Sequence, residues 1–274
     1  MSDIVSSKFS YYDSSNLFHG SMMNIMGTRF DIVIIGKSKT DSESLWYNIE
    51  EELKRLNIML NRFDDLSEIS RINSKAAGLA VVVTDEMWQI IRDCETYHQL
   101  TLGLFDITLH DFKKIKFSER NKSVTFTDSN ISIDFGGYGK GYALKKIKSI
   151  LEDNEVKCAY VDFGNSSILG IGHHPHGNSW KVTIENPYKP TEIVDELYIN
   201  DVALSISGNT PLYSGHIIIP ENGSRINSHK MLSVLSDDPL DAEVLSTALM
   251  IANKQQKEQI KKNFNIQIIK EYIL

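Results

Sequence analysis

The sequence predicts an α+β fold: two interlocked lobes of mixed, largely antiparallel sheet with flanking helices. Three observations carry this. Before residue 157 long helical stripes alternate with short apolar runs, and from residue 157 onward the texture changes to closely spaced strands. No stretch between them has the length or composition of a linker, so the two regions pack as one body.

Taken in order, residues 1–23 are rich in Ser and Tyr, lack a period and are expected as a loose N-terminal arm, followed by a single domain over 24–274. GTRFDIVIIG (27–36) alternates and then turns apolar, as a strand does. The next segment sets Ile49, Leu53, Leu56, Leu60 and Phe63 at steps of four and three, one stripe of a long helix with Asp41 or Ser42 as its N-cap. DDLSEISRIN reads as a polar connection, AVVV as a short strand, and residues 84–100 as a second helix capped by Thr84. KSVTFTDSNISIDF gives two strands about a turn at Asp128–Asn130. A third helix follows, packing through Gly141, Leu144, Ile147 and Leu151. The later strands are KCAYVDFG, SSILGIG, WKVTIE, ELYINDVALSIS and GHIIIP, with HHPHGN (173–178) as a loop between two of them. DAEVLSTALMIAN and KQQKEQIKKNF read as helices, and NIQIIKEYIL as a strand that closes a sheet.

A formal charge of −7 argues against nucleic acid or an anionic membrane as a partner held by bulk electrostatics. No apolar run is long enough to span a membrane. The first residues have neither a basic region nor a continuous apolar stretch, so the sequence as given reads as cytoplasmic; a removed N-terminal signal would make it exported. Cys94 and Cys158 read as buried free thiols. His173, His174 and His176 have no carboxylate or thiol beside them and mark a turn rather than a zinc site.

Three stretches have the residues for chemistry. IDFGGYGKGYALK (133–145) places Gly136, Gly137, Gly139 and Gly141 where a strand hands over to a helix, with Lys140 among them. Its spacing is neither a P-loop nor a dinucleotide fingerprint, yet free amides at a helix start plus a lysine suit a phosphate or pyrophosphate. A tight corner packed against another backbone would read the same way. In AEVLSTALM, Glu243 and Thr247 lie four apart on one helical face; together they offer oxygens to a hard cation, or simply a solvated glutamate beside a helical threonine. His216 heads an apolar run ending at Pro220 and is a candidate general base, or an ordinary edge residue.

The order of MGTRF, NRFDDLSEISRIN, GLFDITL, IDFGGYGKGYALK, VDFGNSSILGIG, WKVTIENP, SISGN, HIIIPENG and AEVLSTAL resembles the ApbE family over residues 24–252. The resemblance implies a T-fold-like architecture and a magnesium-dependent flavin transferase. Such an enzyme cleaves the FAD pyrophosphate and moves FMN to a Thr or Ser hydroxyl of a target protein. It implies that Gly137, Gly139, Lys140 and Gly141 lie against the pyrophosphate, and that the Gly139 carbonyl, Glu243 and Thr247 hold the metal. His216 would deprotonate the acceptor, and Met26, Gly27, Thr28, Ser67, Asn73, Phe105 and Asp106 would shape the FAD pocket.

Four positions depart from the family pattern. Glu243, Lys145 and Ile219 each replace an aspartate, and Asn165 replaces a glycine. Lys145 puts a cation near the expected phosphate site. These departures leave two alternatives beside transfer: FAD hydrolysis to FMN and AMP, or a non-catalytic flavin or nucleotide binder that has lost the metal site.

Overall fold

A computed structural model describes residues 4–211, 214–215 and 217–274. Most of the described residues of the expected loose arm lie in strands: β1 (Ser6–Tyr12) and β2 (Leu17–Ile25) pair antiparallel. β2 then turns into β3 (Thr28–Ile35) through Met26 and Gly27, whose φ angles of +47° and +77° make the tight two-residue turn that matches strand twist. The serine- and tyrosine-rich composition hid β1 because neither of its faces is buried, so no apolar alternation marks it.

Four helices and three short strands separate β3 from its next sheet neighbour. Helix α1 (Lys39–Leu60) buries Leu45, Trp46, Ile49, Leu53, Leu56 and Leu60. Each such aliphatic side chain contributes about 1.5–3 kcal/mol on full burial. Its N-cap is Ser38, whose hydroxyl accepts from Asp41 N–H at 3.2 Å; Ser42, one of the expected caps, is buried inside the helix. Phe63, expected on the same stripe, lies beyond the helix end and is 83% exposed. The polar segment that followed is partly helical: α2 (Glu68–Lys75), with Ser67 as N-cap. A strand β4 (Val81–Val82) precedes α3 (Asp85–Leu100), capped by Thr84 as the sequence indicates.

β5 (Ile115–Ser118) and β6 (Ser123–Phe126) join β4 in a small sheet of order β4-β6-β5. The second strand expected after the Asp128–Asn130 turn does not form a ladder; residues 131–135 instead bond to Asn73 and to the Ile107 carbonyl. Helix α4 (Gly139–Asp153) follows, and Leu144, Ile147 and Leu151 are buried as its pattern requires.

The strand-rich half runs β7 (Ala159–Phe163), β8 (Ser167–Ile171), β9 (Trp180–Asn186), β10 (Lys189–Ile199), β11 (Val202–Gly208) and β12 (Lys230–Ser236). Helices α5 (Pro239–Ile251) and α6 (Lys254–Lys261) and strand β13 (Ile266–Ile273) complete it. The run ELYINDVALSIS divides into β10 and β11 at Asn200–Asp201, where Asp201 takes φ +55°. GHIIIP is not a strand; among its described residues Ile218 makes an isolated bridge to Arg225. Cys94 and Cys158 are free, Cys94 buried and Cys158 only half-buried, its thiol donating to the His173 carbonyl at 2.8 Å.

Eight strands form the main sheet in the order β1-β2-β3-β7-β8-β11-β12-β13, every neighbouring pair antiparallel. One face carries α1, α4 and α5 over a core built from Phe18, Phe30, Ile32, Val161, Leu169 and Val234. On the other face the β9–β10 hairpin covers β8, β11 and β12, with Trp180, Val182 and Ile184 pointing inward at every second position. β8 lies under both layers, and all five of its residues are buried. The α+β prediction and its largely antiparallel sheet match this architecture.

Candidate active site at a glycine corner

Two of the three stretches singled out above, the glycine turn and the helix of Glu243 and Thr247, meet where α4 starts and α5 crosses it. Residues 133–138 reach this point held by Asn73, whose side chain bonds both ways to one residue. Its Nδ2 donates to the Ile133 carbonyl at 2.9 Å and its Oδ1 accepts from Ile133 N–H at 2.7 Å. A side-chain amide thus serves as the strand partner that the backbone lacks. Asp134 accepts from Gly136 N–H at 2.8 Å and pairs with Arg62, which fixes the entry to the corner.

Gly141 is required by close packing. A Cβ there would sit 2.5 Å from Glu243 Cβ and 3.0 Å from the Pro239 carbonyl oxygen, so α4 and α5 touch backbone to backbone. At Gly137 an added carbon would meet Thr247 Oγ1 at 3.3 Å and the Phe105 ring at 3.6 Å, and at Gly139 it would meet Met26 Cε at 3.1 Å. Met26 is set there by its N–H, which donates to Asn57 on α1 at 2.9 Å. The corner is therefore both of the things its sequence allowed: a packed crossing, and a helix start whose N-cap, Tyr138, supplies no capping side chain.

Glu243 is neither solvated nor open. It is 4% exposed. Lys140 Nζ donates to its Oε1 at 2.5 Å, while Ser167 and Ser205 donate to its Oε2 at 2.5 and 2.9 Å. Ser167 and Ser205 are direct cross-strand partners on β8 and β11, so the sheet presents both hydroxyls to one carboxylate oxygen. Ser246 continues the network: it lies 3.0 Å from Ser205 and 2.8 Å from Ser207, and Ser207 lies 3.4 Å from Thr247 Oγ1. Ser205 and Ser207 are two apart on β11 and face α5 together. None of these serines is among the candidates drawn from the sequence; a pair of serines at strand spacing inside an apolar run was the available signal.

The remaining candidates divide into corner residues and supports. Met26 and Phe105 line the corner. Gly27 makes the β2–β3 turn, and Thr28 packs against Gly164, where a Cβ would fall 2.5 Å from its hydroxyl oxygen. Ser67 caps α2. Asp106, 5% exposed, accepts from Thr108 N–H, Thr108 Oγ1 and Phe112 N–H, so its oxygens shape their own loop. His216 lies outside the described residues. Among the described residues near it in sequence, Asn209 donates to the Ile226 and Ser228 carbonyls and accepts from Gly215 N–H.

Lys145 does not face the corner as its sequence position suggested. Its ammonium pairs with Asp238 at 2.5 Å, the residue that caps α5, and so clasps α5 to α4. On the same helix Asp241 accepts from the Tyr97 hydroxyl at 2.6 Å; burial raises its carboxyl above the ordinary aspartate value, and that hydrogen bond opposes the rise. Asn165 has a structural reason to replace glycine. Its φ is +56°, in the left-handed region that Asn tolerates best among residues with a side chain.

The sequence model of the ApbE family matches residues 26–112 and 108–269, nearly all of the chain. The chain belongs to the ApbE family. The FAD:protein FMN transferase of Chlamydia pneumoniae is 24% identical over 212 residues, 66% of this chain and 65% of that protein, so the match spans just under two thirds of that relative. The enzyme of the same name from Vibrio cholerae is 23% identical over 269 residues, 84% of this chain and 80% of that one. Solved ApbE structures share the fold. The flavin transferase ApbE of Vibrio cholerae superposes with a TM-score of 0.79 at 20% identity, covering 94% of this chain and 97% of that one. The ApbE protein of Thermotoga maritima gives 0.76 at 19% identity, covering 96% of each chain.

The ApbE resemblance assigns a divalent cation to the Gly139 carbonyl, Glu243 and Thr247. Magnesium needs several oxygen lone pairs converging on an open position. Here both Glu243 oxygens already accept from protein donors, one of them an ammonium. As folded, the donor set does not fit magnesium.

Proposed function

We propose that the chain is a flavin transferase that cleaves the FAD pyrophosphate and moves FMN onto a Thr or Ser hydroxyl of a target protein. In balance, the acceptor oxygen bonds to the phosphorus of the FMN half, its proton passes to a base, and the bond to AMP breaks. The observation that carries this reading is the contact of the glycine corner with Glu243 and Thr247 in a chain of the ApbE family. Relatives named FAD:protein FMN transferase support it.

The diphosphate is received by positive charge. The start of α4 brings the positive end of a helix dipole, its first-turn amides are not capped by a side chain, and Lys140 stands beside them with its side chain 22% exposed. A hydroxyl is a weak nucleophile at neutral pH, and a positioned base contributes about 10²–10⁴-fold. His216 takes that part by the family resemblance. Magnesium dependence is the family expectation; because Glu243 is saturated, no step here is routed through a metal.

The saturated carboxylate also favours a second reading, a flavin binder without turnover. One experiment separates them: incubate the protein with FAD and a flavin-acceptor domain, then read covalent fluorescence on a denaturing gel and the nucleotides by chromatography. Labelled acceptor with released AMP is the expected result. FMN and AMP without label would identify a hydrolase instead, and bound but unchanged FAD a binder.

A further inference from the structure

We propose that Lys140 is the resident cation of this corner, occupying through its ammonium the carboxylate position that a divalent ion would need. The protein therefore receives the FAD pyrophosphate without metal. This rests on reading the corner as the pyrophosphate site.

Four observations carry it. First, the carboxylate is matched one for one: a single buried anion meets a single ammonium at 2.5 Å, and a second cation beside Lys140 would meet like-charge repulsion in a poorly solvated place. Second, the side chain is a glutamate where the family pattern has aspartate. The added methylene carries the carboxylate to Ser167 and Ser205, which hold Oε2 and leave Oε1 for the lysine. Third, Lys140 has three N–H donors, and among the described residues Glu243 is its acceptor, so donors remain for phosphate oxygens on its more open side. Fourth, the other nearby lysine, Lys145, is committed to Asp238 and does not compete for the role.

Two arms test this on the full chain. In the first, manganese is titrated into flavin-free protein and free Mn²⁺ is followed by electron paramagnetic resonance. The wild type should leave the free signal unchanged, K140R should do the same, and K140M should take up about one ion by opening Oε1. Stoichiometric uptake by the wild type would overturn the proposal, with no variant needed. A folded K140M that takes up no ion would overturn the claim that the lysine is what excludes it.

In the second arm FAD affinity is measured by calorimetry in EDTA and in excess magnesium. The wild type should differ by less than about twofold between the two buffers, because a ligand that needs no ion has no coupling to it. A gain of about tenfold or more on adding magnesium would overturn the proposal. FAD that fails to bind in either buffer would sink the site reading itself, while the manganese arm still decides the role of the lysine.

Discussion

Replacing Gly141 with alanine is the sharpest structural test of the corner. The new methyl would lie 2.5 Å from Glu243 Cβ and 3.0 Å from the Pro239 carbonyl oxygen, and neither atom can move without its helix. Overpacking of this kind costs typically 1–3 kcal/mol, and contacts this short with backbone belong at the upper end, about 3 kcal/mol. Alanine returns about 1 kcal/mol of helix propensity over glycine. The net expectation is a loss of about 2 kcal/mol, roughly a thirtyfold shift toward the unfolded state. Gly78 supplies the control: a Cβ there meets nothing within 4 Å, and its φ is not left-handed. Gly78→Ala should be neutral or stabilising by up to about 1 kcal/mol. Urea unfolding of both variants measures the difference. If Gly141→Ala were as stable as Gly78→Ala, the close crossing of α4 and α5 would not exist, and the Lys140–Glu243 pair built on it would lose its foundation.

Asn73→Ala should cost about 2 kcal/mol in urea unfolding, because it strips both partners from the Ile133 backbone at once; a loss under about 0.5 kcal/mol would mean that water replaces the clamp freely. Ser167→Ala and Ser205→Ala should each cost about 1–2 kcal/mol. The double variant should depart from additivity because both hydroxyls serve Glu243 Oε2, and strictly additive losses would show that they act separately. Asp195 accepts from Lys270 and Tyr272, and the Lys270 hydrogen bond holds its carboxyl below the ordinary value of 3.8. Its contribution is therefore present above that value and lost as pH falls through the lower folded one. Asp195→Asn should flatten the acid limb of the stability curve below about pH 4 and lower stability slightly near neutrality, the pair being partly solvated. An unchanged acid limb would show that the strand-to-strand contact is not electrostatic.

The elements most legible in the sequence were those with one buried face. α1, α3 and α4 announce themselves by apolar stripes, and Thr84 and the Gly141-centred face stood where the pattern put them. β1, β2 and β5 went unread: β1 is exposed on both faces, β5 is four residues long with little alternation, and β2 breaks its alternation where Gly20, Ser21 and Met22 are buried in succession. The same logic holds at the site. Glycines beside a lysine and an i, i+4 Glu–Thr pair are local signals, so the corner was found. The partners of Glu243 were not, because Ser167 and Ser205 become neighbours only through sheet register, which no local window contains. Phe63 misled for a related reason: it continues the stripe of α1 in sequence, yet the helix has already ended at Leu60.

β3 finds its sheet neighbour β7 only across everything from α1 through α4, and Glu243 arrives later still, on α5. During synthesis the amino-terminal hairpin must therefore wait, its open side unpaired, while half the protein leaves the ribosome. The corner proposed for the nucleotide cannot be formed by any fragment that ends before α5. On that proposal, flavin capture by a nascent chain would report that translation has passed α5, with only α6 and the edge strand β13 still to come.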